Sequence, residues 1–99
     1  MVAVPDFPRD ARALLPGLIE LRRAIHADPE TGLLLPRTQQ RVLDALTGLR
    51  LETTVGTQLS SVVAVLRGAL PGPTVLLRGD MGALPIPEET GVEYASTNG

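Results

Sequence analysis

Hydrophobic and polar positions alternate along this chain in three distinct rhythms. Between Asp10 and Ala27, Leu14, Leu18, Leu21 and Ile25 recur at spacings of four, three and four, with Leu15 and Ile19 widening the stripe. That period predicts an amphipathic helix with Glu20, Arg22 and Arg23 on its wet side. Pro16 interrupts it, so the spacing predicts a separate helical turn before Pro16 and a main helix that starts with this proline. Asp28 precedes Pro29 and is biased away from helical angles, which ends the helix near Ala27. Thr31 and Gly32 form a turn. A second helix opens on Pro36, with Val42, Leu43, Leu46 and Leu49 as its stripe and Gly48 at its C-terminus.

From Leu49 the rhythm changes to two. Leu49, Leu51, Thr53 and Val55 alternate with Arg50, Glu52 and Thr54, predicting a half-buried strand. Gly56, Thr57 and Gln58 make a short loop. Ser61 to Leu66 is a continuous apolar, β-branched run and predicts a central strand. A turn-rich connection, residues 67–73, leads to a third expected strand over Thr74–Gly79, in which Val75, Leu76 and Leu77 should be covered on both faces. Residues 1–9, marked by Pro5 and Pro8, are expected to be a loose arm. The predicted order is therefore helix, helix, strand, strand, strand. Two helices cover only one face of such a sheet, so the pattern suits the front part of a larger α/β domain.

Composition narrows the functions available. The chain has 99 residues, 43% hydrophobic and 20% charged, with one Phe, one Tyr and no Trp. Stacking platforms for single-stranded nucleic acid are missing, and a net charge of −2 offers no basic footprint for it. No apolar run approaches a membrane span, and residues 1–10 do not resemble a signal peptide, so a cytoplasmic location is expected. Without cysteine, and with His26 as the single histidine, neither a disulfide framework nor a thiolate metal site can form. His26, beside Asp28 and Glu30, could serve as a ligand or an acid–base group. A helix-terminal histidine that caps carbonyls and favours the negative end of the dipole is the better-supported use, because no second histidine shares a site.

The candidate chemistry lies after the third expected strand, at Arg78-Gly79-Asp80-Met81-Gly82-Ala83-Leu84-Pro85. Ligands of open α/β sheets bind at the carboxyl ends of strands. Asp80 there could be a general base, a metal ligand, an orienting carboxylate or simply the cap of its own turn. Arg78-Gly79-Asp80 also matches a cell-adhesion tripeptide, but three-residue matches arise by chance and carry no weight alone.

Three blocks together resemble one family. Residues 21–32 (LRRAIHADPETG), residues 71–86 (PGPTVLLRGDMGALPI) and residues 88–96 (EETGVEYAS) are similar, in order and spacing, to the metallo-aminohydrolases of the aminoacylase, hippurate hydrolase and auxin-conjugate hydrolase types, relatives of zinc carboxypeptidases and aminopeptidases. The resemblance implies an α/β/α catalytic domain, of which residues 1–99 would supply two helices and three strands, with a lid and dimerisation domain elsewhere. It implies hydrolysis of the amide bond of N-acyl or N-conjugated amino acids. It also implies a divalent metal (zinc, manganese, cobalt or nickel), a glutamate as general base toward a metal-bound water, a small-molecule substrate and a homo-oligomer, with no nucleic-acid or membrane partner.

Residue by residue, the resemblance places Asp80 near the site, where the peptidase relatives carry a metal-binding histidine. It gives this chain no metal ligand. Gly82 stands where the family's turn, Asp-Met-Asp-Ala-Leu-Pro, has its second aspartate. The Cys-Gly-His segment, the catalytic glutamate and the remaining histidine ligands would lie beyond Gly99. The 99 residues alone are thus expected to be inactive, or alternatively to act as a small non-catalytic α/β protein that binds a partner.

Overall fold

The structure is a computed structural model that describes residues 4–97. Among these, the elements are α1 (Phe7–Ala27), α2 (Pro36–Leu46), β1 (Glu52–Val55) and β2 (Val62–Val65). The chain divides into two units, one comprising Met1–Asp28 with Glu88–Gly99, the other Pro29–Pro87.

The first unit is built on α1. Asp6 caps it by accepting a hydrogen bond from the Arg9 backbone N–H at 3.1 Å, and Pro8 lies in the first turn. The helix therefore begins at Phe7, inside the stretch expected to be a loose arm; residues 1–3 of that arm lie outside the described residues. It also runs through Pro16 without the expected break. By helical spacing Pro16 falls opposite Leu14 and Leu18, with Arg9, Arg12, Glu20 and Arg23 as its neighbours. One missing donor on this polar face bends a helix more readily than it ends one. The C-terminus falls at Ala27 as expected, and the Asp28 N–H bonds back to the Ile25 carbonyl at 3.2 Å.

The second unit is organised around α2. Pro36 opens the helix, Leu46 closes it, and Gly48 follows at φ 88°, a backbone angle that suits glycine. β1 and β2 pair antiparallel, with Glu52 opposite Val65, Thr53 opposite Ala64, Thr54 opposite Val63 and Val55 opposite Val62. Arg67 clasps Glu52 through Nε at 2.6 Å and Nη2 at 3.0 Å, just past the end of the ladder. Both expected strands exist but are shorter than predicted: β1 starts at Glu52 rather than Leu49, and β2 covers Val62–Val65.

The third expected strand is absent. Residues 74–79 have no regular structure, and Val75, Leu76 and Leu77 are 82%, 86% and 89% exposed rather than covered on both faces. A third strand would gain from burying side chains against a covered sheet. Here the sheet has two strands, and Val63 and Val65 are themselves 56% and 39% exposed, so that gain is missing. Pro71 and Pro73, which cannot donate to a ladder, lie in the connection. An uncovered apolar run of this kind should drive association. The isolated chain is expected to elute from a sizing column at a mass that rises with concentration, and Leu76→Lys should shift it toward the monomer. A concentration-independent monomer would contradict this.

The buried residues of the second unit are few and mostly polar: Leu35 with Glu30, Thr38 and Ser60. Ser60 ties two segments together, its Oγ accepting from the Leu35 N–H at 2.7 Å while its own N–H donates to the Leu33 carbonyl at 2.9 Å. Ala83 joins the same knot through its N–H to the Glu30 carbonyl at 2.8 Å. No described helix is long and apolar enough to cross a membrane.

Candidate functional site

Two clusters of chemistry-bearing residues emerge, one in each unit. In the second unit, residues 79–83 border a cavity of about 490 Å³, together with residues 59–62 and Gly32, Leu33 and Leu35. The ties through Ser60 and Ala83 hold these three segments side by side. Asp80 lines this cavity, although the strand that the sequence argument placed before it is absent. Its carboxylate is exposed and pairs with its near neighbour Arg78, Nη2 to Oδ1 at 2.6 Å. Gly82 lines the same cavity, and a Cβ there would stand 3.7 Å from the Gly32 carbonyl oxygen and 3.9 Å from Leu35 Cδ1. Those are ordinary contacts, so position 82 has room for a Cβ.

Beside the cavity segments, Glu30 performs a structural task that the sequence pattern did not reveal. Leu35, the residue before α2, has no side chain able to cap it. Glu30 does so from a distance: its carboxylate accepts from the Thr38 N–H at 2.6 Å and the Arg37 N–H at 3.3 Å, and the Arg37 guanidinium lies 3.6 Å away. Burial pushes the carboxyl pKa up. Thr38, through its backbone and its side chain, then the Arg37 N–H and the Arg37 charge outweigh that, and the net direction is down.

In the first unit, His26 meets Glu88, which is 62 positions away. Nε2 lies 2.9 and 3.0 Å from the two carboxylate oxygens, so it is directed at Glu88 rather than at the helix carbonyls that the capping expectation assigned to it. An ionised carboxylate only accepts, which places the proton of His26 on Nε2. Glu88 also accepts from the Thr90 hydroxyl and, at 2.6 Å, from the Ser96 N–H. The Thr90 bond, then His26, then Ser96 hold the carboxyl down at about 2. Tyr94 packs edge-on to His26 with ring centroids 5.7 Å apart, and the Arg23 guanidinium sits 4.3 Å from the centre of the Tyr94 ring. The single sequence hint of this cluster was the presence of His26 and Glu88 in separate blocks of the family resemblance.

No group of three or more Asp, Glu, His or Cys side chains able to hold a metal ion occurs among the described residues. Asp80 is engaged with Arg78, and the Glu88 carboxylate is filled by three donors. The donor set present therefore does not fit a divalent metal without further ligands.

No protein-family model matches the chain, and no solved structure matches it significantly. Curated sequences do. Thermostable carboxypeptidase 1 of Saccharolobus solfataricus is 38% identical over 97 residues, covering 97% of this chain and 25% of that protein. The similarity takes in nearly all of this chain but only part of that protein. N-acetyldiaminopimelate deacetylase of Oenococcus oeni is 39% identical over 85 residues, covering 82% of this chain and 22% of its own length. N-acyl-L-amino acid amidohydrolase of Geobacillus stearothermophilus is 43% identical over 82 residues, with 82% and 22% covered. The chain thus spans about a quarter of the length of the curated relatives it matches. These relatives carry names of the kind that the resemblance of the three sequence blocks implies, and the longest of these alignments takes in both clusters.

Proposed function

We propose that this chain is a segment of a metal-dependent hydrolase that cleaves the amide bond of N-acyl or N-conjugated amino acids, and that the 99 residues do not catalyse the reaction by themselves. The observation that carries the proposal is the similarity along 97% of the chain to a protein named as a carboxypeptidase, joined by relatives named as a deacetylase and an N-acyl amino acid amidohydrolase. Those names share one bond type, an amide next to an amino acid. The small-molecule substrate, the divalent metal, the homo-oligomeric assembly and the cytoplasmic setting belong to the same proposal.

Within it, Asp80 acts as a near-site carboxylate. Its position at the cavity bordered by residues 59–62 and 79–83 supports that role, with its exposed carboxylate paired to Arg78. Inactivity of the isolated chain is supported by the donor inventory: one histidine, no cysteine and no converging set of three ligands among the described residues. Hydrolysis by metal-bound water needs a centre held by several protein ligands with an open position.

The test compares the 99-residue chain with a longer polypeptide that contains it, on N-acetyl and N-benzoyl amino acids with added manganese or zinc. No turnover by the short chain and metal-dependent release of the amino acid by the long one are expected. Turnover by the short chain would overturn the inactivity, and an inert long polypeptide would overturn the hydrolase assignment.

A further inference from the structure

Residues 88–97 contain neither helix nor strand, yet one carboxylate gathers the donors around them. Glu88 accepts from Thr90 and Ser96 on its own segment and from His26 on the last turn of α1. A second tie lies at the far end, where the Thr97 N–H donates to the Ala27 carbonyl at 3.0 Å and its hydroxyl does so at 3.2 Å. Ala27 is the last residue of α1, so this carbonyl has no partner within the helix. Between the two ties, Tyr94 covers His26 and is itself covered by Arg23.

We propose that Glu88 is the clamp of a strap: residues 88–97 close against the C-terminal turn of α1 while Glu88 is ionised, and come away when that carboxylate is protonated or replaced. The proposal is independent of the hydrolase assignment. A carboxylate with two oxygens suits the task, because three donors from three directions converge on it and each bond is charge-assisted. A neutral amide of the same shape offers one accepting oxygen and turns its NH2 toward donors. The charged or titratable groups around Glu88 are His26 facing it directly, with Arg23 and Tyr94 behind the imidazole; Glu89 and Glu93 are exposed on the same segment.

The pH dependence has a definite sign. His26 donates from Nε2 in either protonation state, so the sign is set by the Glu88 carboxylate. The Glu88 carboxyl titrates at about 2 when the strap is closed and at an ordinary value of about 4.3 when it is open. Closure is therefore fully favoured above roughly pH 4.3 and is lost as the pH falls toward 2.

The experiment is residue-resolved amide exchange on the 99-residue chain at neutral pH, in the wild type, Glu88→Gln, Glu89→Gln and His26→Leu. The Ser96 and Thr97 amides report the two ties. They should be protected in the wild type and in Glu89→Gln, and should exchange at least about tenfold faster in Glu88→Gln, with His26→Leu between. The Thr38 amide, in the other unit, should be unaffected throughout. Unprotected Ser96 and Thr97 in the wild type would overturn the proposal. So would equal protection in Glu88→Gln, an equal effect of Glu89→Gln, or loss of protection at Thr38 together with the strap.

Discussion

Replacing Glu30 by alanine should destabilise residues 29–87 by about 2 kcal/mol, although Glu30 belongs to no helix or strand. The side chain is 8% exposed, and it supplies what the start of α2 otherwise lacks. The first N–H groups of any helix have no partner within it. Here the Thr38 and Arg37 N–H groups point at one carboxylate, and its charge also meets the positive end of the helix dipole. Thr38 is almost fully buried, so its N–H would find no water in place of the lost acceptor. Urea unfolding followed by helical circular dichroism gives the loss in stability, and exchange of the Thr38 amide localises it. The pH dependence supplies an independent check. The folded Glu30 carboxyl titrates below its ordinary value of about 4.3, so its stabilisation is complete above that pH and fades as the pH falls through the lowered value. Wild-type α2 should therefore weaken in acid, while Glu30→Ala should show a flatter profile. Equal stability of the two at neutral pH would mean that Pro36 and the helix sequence start α2 unaided.

What the sequence disclosed divides along the range of the interactions concerned. Local signals held: Asp28 before Pro29 ends α1 at Ala27, Pro36 opens α2, Gly48 takes a positive φ after it, and the β-branched run around Val62–Val65 makes a strand. Pro16 misled because a proline's effect depends on which face of the helix it occupies. Val75, Leu76 and Leu77 misled for a different reason. An apolar run states that a segment gains by burial but does not supply the surface that would bury it, and the described residues leave this one exposed. At the candidate site, the sequence singled out Asp80 from its place in a family-like turn, and that residue lines the cavity. Glu88 was not, because its partner His26 lies 62 positions earlier and no periodicity links two such residues. Glu30 was noticed beside His26, yet its carboxylate turns forward to α2. Side-chain capping across eight positions leaves no trace in hydrophobic spacing.

Gly82→Asp, made in a longer polypeptide that contains this segment, should raise kcat on an N-acetyl amino acid by about 10²-fold and change KM much less. The expectation rests on the proposed hydrolase function and on the resemblance of residues 80–85 to a turn that carries a second aspartate at this position. Gly82 offers only its backbone there. Space does not oppose the change, since the added Cβ would meet the Gly32 carbonyl oxygen and Leu35 Cδ1 at 3.7 and 3.9 Å. The φ of Gly82 is also not among the positive values found at Gly32, Gly48 and Gly91, so an L-residue fits without backbone strain. Gly82→Asn separates shape from charge. It adds nearly the same volume and an accepting oxygen but no negative charge. If the carboxylate orients catalytic groups through its charge, the aspartate variant should gain and the asparagine variant should stay near the parent. A shared gain would assign the effect to turn rigidity, because both replacements remove the conformational freedom of glycine. An unchanged rate in both would place the catalytic groups out of reach of position 82, leaving Asp80 as the sole carboxylate of this turn with access to the cavity.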